Sequence, residues 1–322
     1  MRPRTTKLWW SIASALAALA MLVTACAPAA TPSPTAKPKI EIKLAANPWD
    51  GSRVNVAVAK IVLEKELGYT VKIVDIDENG QFPALASGDL SATLEIWPSG
   101  HAKDYDDYIK TSKLEDIGKL GVVGKINWYV PKYVVDEHPE LATWEGYQKA
   151  ENAGMFKTAE TGDAGQFLGG DPSFVQYDEA IIKNLGLNLK VVYAGSEQAI
   201  LAALDAAYAR KEPVLFYFWT PHAIHAKYDL VAVKLPDYSD ACYGKAPDGV
   251  DCDYPADILY KASWAGLKDA APDAYAVLKN MNYSTEDQIA MLADIANNGK
   301  SVEDAAQGWV DQNQDKWKAW LP

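Results

Sequence analysis

Three tryptophans, Trp49, Trp97 and Trp219, stand at or just after the ends of runs that read as β-strands. A core tryptophan more often lies mid-strand or mid-helix, whereas pockets in α/β sheets open at the carboxyl ends of strands. Indole faces gathered there could hold a cation, because the ring quadrupole attracts positive charge without a hydrogen-bond donor. Nothing in the sequence supplies a nucleophile with a base beside it. A Gly-x-Ser-x-Gly elbow, a Gly-rich phosphate loop, a dinucleotide fingerprint and a His-Glu-x-x-His pair are all absent. His222 and His225 are three apart, but no third ligand is placed to complete a metal site. The pattern points to binding and away from catalysis, with no cofactor.

The elements that must position these rings alternate between strand and helix patterns. Ile40–Ala46, Thr70–Ile76 and Ala92–Trp97 read as strands. Ser52–Leu67, Gln81–Ala86 and Ala102–Thr111 read as the helices between and after them. Such β-α-β-α-β order implies a parallel sheet covered on both faces. A second alternation follows: strands at Lys125–Val130, Gly165–Leu168, Leu189–Tyr193 and Val214–Trp219, and helices at Trp144–Lys149, Ser173–Leu185 and Ser196–Ala209. Ser173 and Ser196 are the expected N-caps, and Gly186 a helix stop. The last part reads as strands at Leu230–Leu235 and Asp257–Tyr260, then helices Ala265–Met281, Thr285–Asn297 and Val302–Leu321. Ser284 and Ser301, each with an Asp three residues on, resemble capping boxes. Two α/β halves and a helical tail imply two lobes with a cleft between them.

The amino-terminal residues read as an export signal. Arg2, Arg4 and Lys7 precede an uncharged apolar run, Trp9–Val23, which is short for a bilayer-spanning helix. Val23-Thr24-Ala25-Cys26 resembles a bacterial lipobox, with Cys26 as the lipidated first residue of the mature chain. Residues 26–39 then read as an extended tether carrying Pro28, Pro32, Pro34 and Pro38. The expectation is an exported protein, periplasmic or lipid-anchored to the outer face of the cytoplasmic membrane. Of the three cysteines, Cys242 and Cys252 remain to form a disulfide across a Gly, Pro and Asp-rich loop. The net charge of −12 gives the chain no general attraction to nucleic acid.

Four segments give the chain a resemblance over nearly all of its mature length. They are Asn47-Pro48-Trp49-Asp50-Gly51, and Ala86-Ser87-Gly88-Asp89 running on to Glu95-Ile96-Trp97-Pro98. The third is Gly169-Gly170-Asp171-Pro172-Ser173-Phe174, and the fourth Tyr217-Phe218-Trp219-Thr220-Pro221-His222 with Lys227-Tyr228-Asp229-Leu230. The chain resembles the substrate-binding proteins of glycine betaine/choline ABC importers. The resemblance implies an α/β fold of the two-lobed periplasmic-binding-protein type II. Each lobe would be a mainly parallel sheet flanked by helices. Lobe I would comprise 40–124 plus 230–322, and lobe II 125–229. It implies a monomer that captures glycine betaine or a related quaternary amine and passes it to permease and ATPase subunits. Choline, carnitine, proline betaine and dimethylsulfoniopropionate remain open as ligands, and so does a sensor role without transport.

By the same resemblance Trp49 and Trp97 come from the first lobe and Trp219 from the second, and the lobes close over the ligand. A trimethylammonium head has no N–H to donate, so aromatic faces must hold it. Phe174 stands where many relatives carry Trp, which weakens the attraction at that wall. Tyr177 and, less directly, Trp128 are further candidates. Donors for a ligand carboxylate would be the start of the helix at Gly51 and Ser52, with His101 and His222. A choline hydroxyl would instead need an acceptor such as Asp50 or Asp171.

Overall fold

The structure is a computed structural model and describes residues 39–322. The expected leader, Cys26 and all of the tether except Lys39 lie outside the described residues. Strand β1 (Ile42–Ala46) leads through helix α1 (Asp50–Leu67) to β2 (Val71–Asp75), and through α2 (Gln81–Ser87) to β3 (Ala92–Ile96). β1 lies between β2 and β3 and is parallel to both. Strand β4 (Leu114–Pro131) leads away to a second unit of the same kind: β5 (Gly165–Gly169), α3 (Asp178–Asn184), β6 (Leu189–Tyr193), α4 (Glu197–Arg210) and β7 (Phe216–Thr220). Here β5 is parallel to β6 and β7. Strands β8 (Leu230–Ala232) and β9 (Ala256–Trp264) follow, then helices α5 (Pro272–Asn280), α6 (Thr285–Asn298) and α7 (Val302–Gln312).

Among the described residues the strands form one sheet, in the order β2-β1-β3-β9-β4-β7-β5-β6, with β8 added to β4. The two parallel wings are the ones the alternation implies. They are joined by β9 and β4, which are antiparallel to each other and to the outer strands β3 and β7. Helix α1 buries Val54, Val58 and Val62, one face at four-residue spacing, and α7 packs along it. Serine caps behave as expected. Ser196 accepts from Ala199 N–H, Ser301 from Asp304 N–H, and Ser284 exchanges two bonds with Asp287. Among the described residues no helix is long and apolar enough to cross a membrane.

Four elements depart from the sequence reading. β4 is 18 residues long, and only its last third was expected. Its first part carries Gly118, Gly121 and Gly124 among charges, and the register slips between Asp116 and Gly118 and again between Lys119 and Val123. These bulges hide the alternation of Ile117, Leu120, Val122 and Ile126 as buried residues. Gly121 is required, since its φ is +102° and a Cβ there would lie 2.5 Å from the Tyr283 carbonyl oxygen. The helix expected from Ser173 begins only at Asp178. Before it, the Asp171 carboxylate accepts from Ser173 N–H at 2.8 Å and the Gln176 amide from Gly170 N–H at 3.1 Å, holding 171–177 as a turn. The expected 265–281 helix breaks at Ala271, before Pro272, and the 302–321 helix breaks at Asn313.

Residues 230–255, grouped on sequence grounds with the first lobe, bond to elements of the second wing. β8 pairs with Tyr129–Pro131, Lys234 N–H donates to Ala142 O at 2.9 Å, and Asn184 Nδ2 donates to Val250 O at 3.0 Å. Cys242 and Cys252 are joined in a disulfide within this stretch.

Candidate ligand-binding site

Trp49 caps helix α1 from an extended conformation, and the turn before it is locked from inside. Buried Asn47 donates its N–H to the Ser52 hydroxyl at 3.0 Å, and that hydroxyl donates back to Asn47 Oδ1 at 3.2 Å. Asn47 Nδ2 also reaches the Ile76 carbonyl at 3.3 Å. The Trp49 ring thus leaves β1 in one fixed direction.

The edge of that ring is held by a carboxylate that was not singled out in the sequence. Glu95, in the middle of β3, is 2 % exposed. Its Oε1 accepts the indole N–H of Trp49 at 2.6 Å and that of Trp97 at 3.1 Å. Its Oε2 accepts from Asn55 Nδ2 at 2.6 Å and Gln288 Nε2 at 3.4 Å. Burial pushes its pKa up to about 7, against the pull of these four donors. One acceptor therefore sets the angle between two indoles from different strand ends. The six-membered ring of Trp97 also lies close against β4, where a Cβ on Gly124 would stand 2.3 Å from it. Gly124→Ala must displace Trp97, and we expect calorimetry on the folded variant to show a Kd raised about tenfold or more, from roughly 1–3 kcal/mol of overpacking.

The opposite wall comes from β7 and the 171–177 turn. Trp219 stacks on Phe218 with centroids 4.3 Å apart. Phe174 stands perpendicular to both Trp49, at 5.4 Å, and Trp219, at 6.0 Å. Trp49, Trp97, Phe174, Tyr217 and Trp219 wall a cavity of about 480 Å³, open mouth included, and Tyr177 and Tyr254 line it too. Trp128 is not part of it. That ring is fully buried against Phe167 and donates to Asp178 at 2.6 Å.

The polar lining consists of Glu78, Ser99 and His101. Glu78 accepts from Val175 N–H, and Asn79 Nδ2 donates to Ser173 O at 3.1 Å, so the first wing grips the turn of the second. His101, 1 % exposed, sits between Glu78 Oε2 and Asp104 Oδ2, each 3.0 Å from a ring nitrogen. Burial opposes its charge, but the bonds to Asp104 and Glu78 prevail and raise its pKa to about 9. A raised histidine pKa stabilises the fold fully below the unfolded value, near 6.5, and the gain is lost as pH rises through about 9. The stability difference between wild type and His101→Gln should therefore shrink by on the order of 3 kcal/mol between pH 6 and pH 10. A difference that stays constant in urea titrations across that range would show His101 to be uncharged.

Behind Trp49 and Trp219 lies a second polar group. Glu197, the first residue of α4, is fully buried. Its Oε2 accepts the Asp50 backbone N–H at 2.9 Å, and its Oε1 accepts from His222 Nε2 at 2.7 Å. His222 Nδ1 accepts the Ile224 N–H at 3.2 Å, which leaves Nε2 to carry the proton given to Glu197. Thus the structure brings Trp49, Trp97, Trp219, Phe174 and His101 to one cavity, while Gly51, Ser52 and His222 stand outside its lining. Of the carboxylates considered for a hydroxyl, Asp171 serves its own turn. Asp50 has a pKa raised to about 6 by burial and by Glu197.

Residues 40–312 match the family described as the substrate-binding domain of ABC-type glycine betaine transport systems. The chain belongs to this family. It is 28 % identical over 318 residues to a trimethylamine N-oxide-binding protein of Pelagibacter ubique, covering 95 % of this chain and 98 % of that one. It is 25 % identical to a glycine betaine/proline betaine-binding periplasmic protein of Salmonella typhimurium, over 80 % of this chain and 82 % of that protein. In fold it is similar to an ABC-transporter choline-binding protein in complex with choline, with a TM-score of 0.71 at 19 % identity over 87 % and 91 % of the two chains. Lactococcal OpuAC, closed around glycine betaine, gives 0.68 at 22 % identity over 88 % and 100 %. This chain is therefore a substrate-binding component of an ABC transporter and not an enzyme, with the two-lobed α/β fold of such proteins. In a binding protein the buried carboxylate of Glu95 orients rings; it has no reaction to serve.

The residues missed in the sequence were Glu78, Glu95, Glu197, Tyr217 and Tyr254. One signal was available for Glu95. A carboxylate inside the apolar run Ala92-Thr93-Leu94-Glu95-Ile96 must find partners when the strand is buried.

Proposed function

We propose that this chain is the extracytoplasmic receptor that captures glycine betaine or a related quaternary ammonium compound and delivers it to the permease. The supporting observation is the gathering of Trp49, Trp97, Phe174 and Trp219, drawn from both wings, around one cavity that the Glu78 carboxylate also lines. Such a box replaces the hydration of a diffuse cation by ring faces. The Pelagibacter relative, aligned along nearly its whole length, is named for trimethylamine N-oxide, whose methylated head would fit the same box. We further propose anchoring through lipid on Cys26, a monomeric receptor, and lobes divided at 39–124 plus 256–322 and 125–255. Hydrogen bonds of residues 230–255 to the second wing support that division. Calorimetry with glycine betaine, choline and trimethylamine N-oxide, with indole fluorescence followed in parallel, tests the reading. Saturable binding of any one with a change in emission supports it; a folded chain that binds none refutes it.

A further inference from the structure

We propose that Glu78 and Glu197 are reciprocal positioning residues, each holding across the cleft the turn that carries a ring of the other wing, so that they set how long a bound cation stays. This deepens the quaternary-amine reading and rests on it. Trp49 of the first wing and Phe174 of the second meet edge to face, centroids 5.4 Å apart. The residue after each ring gives its backbone N–H to a carboxylate of the opposite wing. Asp50 N–H, after Trp49, donates to Glu197 Oε2 at 2.9 Å. Val175 N–H, after Phe174, donates to Glu78 Oε1. The two wings are thus bonded in both directions beside the seam where the rings meet.

Both carboxylates are buried, and each is aimed by a histidine of its own wing. Glu197 Oε1 lies 2.7 Å from His222 Nε2, and Glu78 Oε2 lies 3.0 Å from His101 Nε2. His222 is fixed in turn by the Ile224 N–H, and His101 by Asp104. The oxygen that points across the cleft is therefore oriented by contacts that need no closure. Glu197 stands outside the cavity lining, so it acts on a ligand through Trp49. Opening the cleft strips one N–H from each carboxylate, and hydrogen bonds to a charged group are the costly ones to break. Encounter with a ligand precedes these bonds, whereas escape must break them. Their loss therefore speeds dissociation and leaves association almost unchanged.

Stopped-flow indole fluorescence on the purified chain, with glycine betaine, choline and trimethylamine N-oxide as probes, measures both rates. For a probe that wild type binds, Glu197→Ala should raise koff tenfold or more and leave kon within threefold. Asp50→Pro tests the same bond if that variant fails to fold. Position 50 opens helix α1, where proline is tolerated, and Trp49 before it is already extended, with φ −143° and ψ 154°. The substitution deletes the N–H and leaves the Glu197–His222 pair in place, and koff should rise as far. Both rates within threefold of wild type in a folded variant overturn the inference, and so does a fall in kon that accounts for the lost affinity. Either result leaves the quaternary-amine reading standing. Binding of no probe by wild type removes that reading, and amide hydrogen exchange then decides the bonding across the cleft. Glu197→Ala or Asp50→Pro should speed exchange at Val175, on the other wing, tenfold or more. Unchanged exchange there confines Glu197 to a local role and overturns the inference.

Discussion

Truncating Trp219 to alanine should weaken binding of a methylated ammonium ligand by roughly 2–4 kcal/mol, a rise in Kd of about thirty- to a thousandfold. The ring is one whole wall of the cavity, and it is also the partner that holds Phe174 edge-on. A desolvated cation facing an indole gains about 2 kcal/mol from that face alone, and loss of the wall readmits water to the rest of the box. Trp264 serves as the control. It is pressed against Gly88 and Gly266, away from the cavity, and its alanine variant should bind as wild type does. Equal affinities for wild type and Trp219→Ala would take this ring out of the site.

Glu95→Ala should have the larger combined effect. It leaves two indole N–H groups and two side-chain amides without their acceptor in a buried space. Each unpaired donor costs about 1–3 kcal/mol, and relaxation of the neighbours limits the total to roughly 3–5 kcal/mol of folding stability. Binding should fall about a hundredfold or more, because both rings lose their orientation at once. Glu95→Gln keeps the shape and one acceptor oxygen, enough for the two indole N–H groups, and should bind within tenfold of wild type. Near-ultraviolet circular dichroism, which reads the asymmetry around the indoles, should be altered in the alanine variant and retained in the glutamine variant. If alanine lowers stability without changing that signal or the affinity, Glu95 is a packing residue only.

The wings of the sheet were legible because β1 to β3 and β5 to β7 follow a simple alternation with clean glycine stops. The ribbon that joins them was not. In β4 the glycines that make room for Trp97 and Tyr283 erase the strand pattern, so contacts distant in sequence shape it more than local preference does. The tryptophans of the box were legible from their place at strand ends. Their supporting carboxylates were not, because a glutamate reads the same whether solvated or buried. Glu197 in particular has the appearance of an ordinary first-turn acid after a serine cap. Only the tertiary fold carries α1 to it, across 147 positions of sequence.

Gly124 belongs to the ribbon and to the box at the same time. Its bare backbone is the surface on which Trp97 rests, with no side chain between ring and strand to absorb a displacement. A molecule that presses on this indole presses directly on the peptide groups linking the two wings. The joint between the wings is therefore also part of the floor of the cleft, and a ligand cannot move this indole inward without moving that joint.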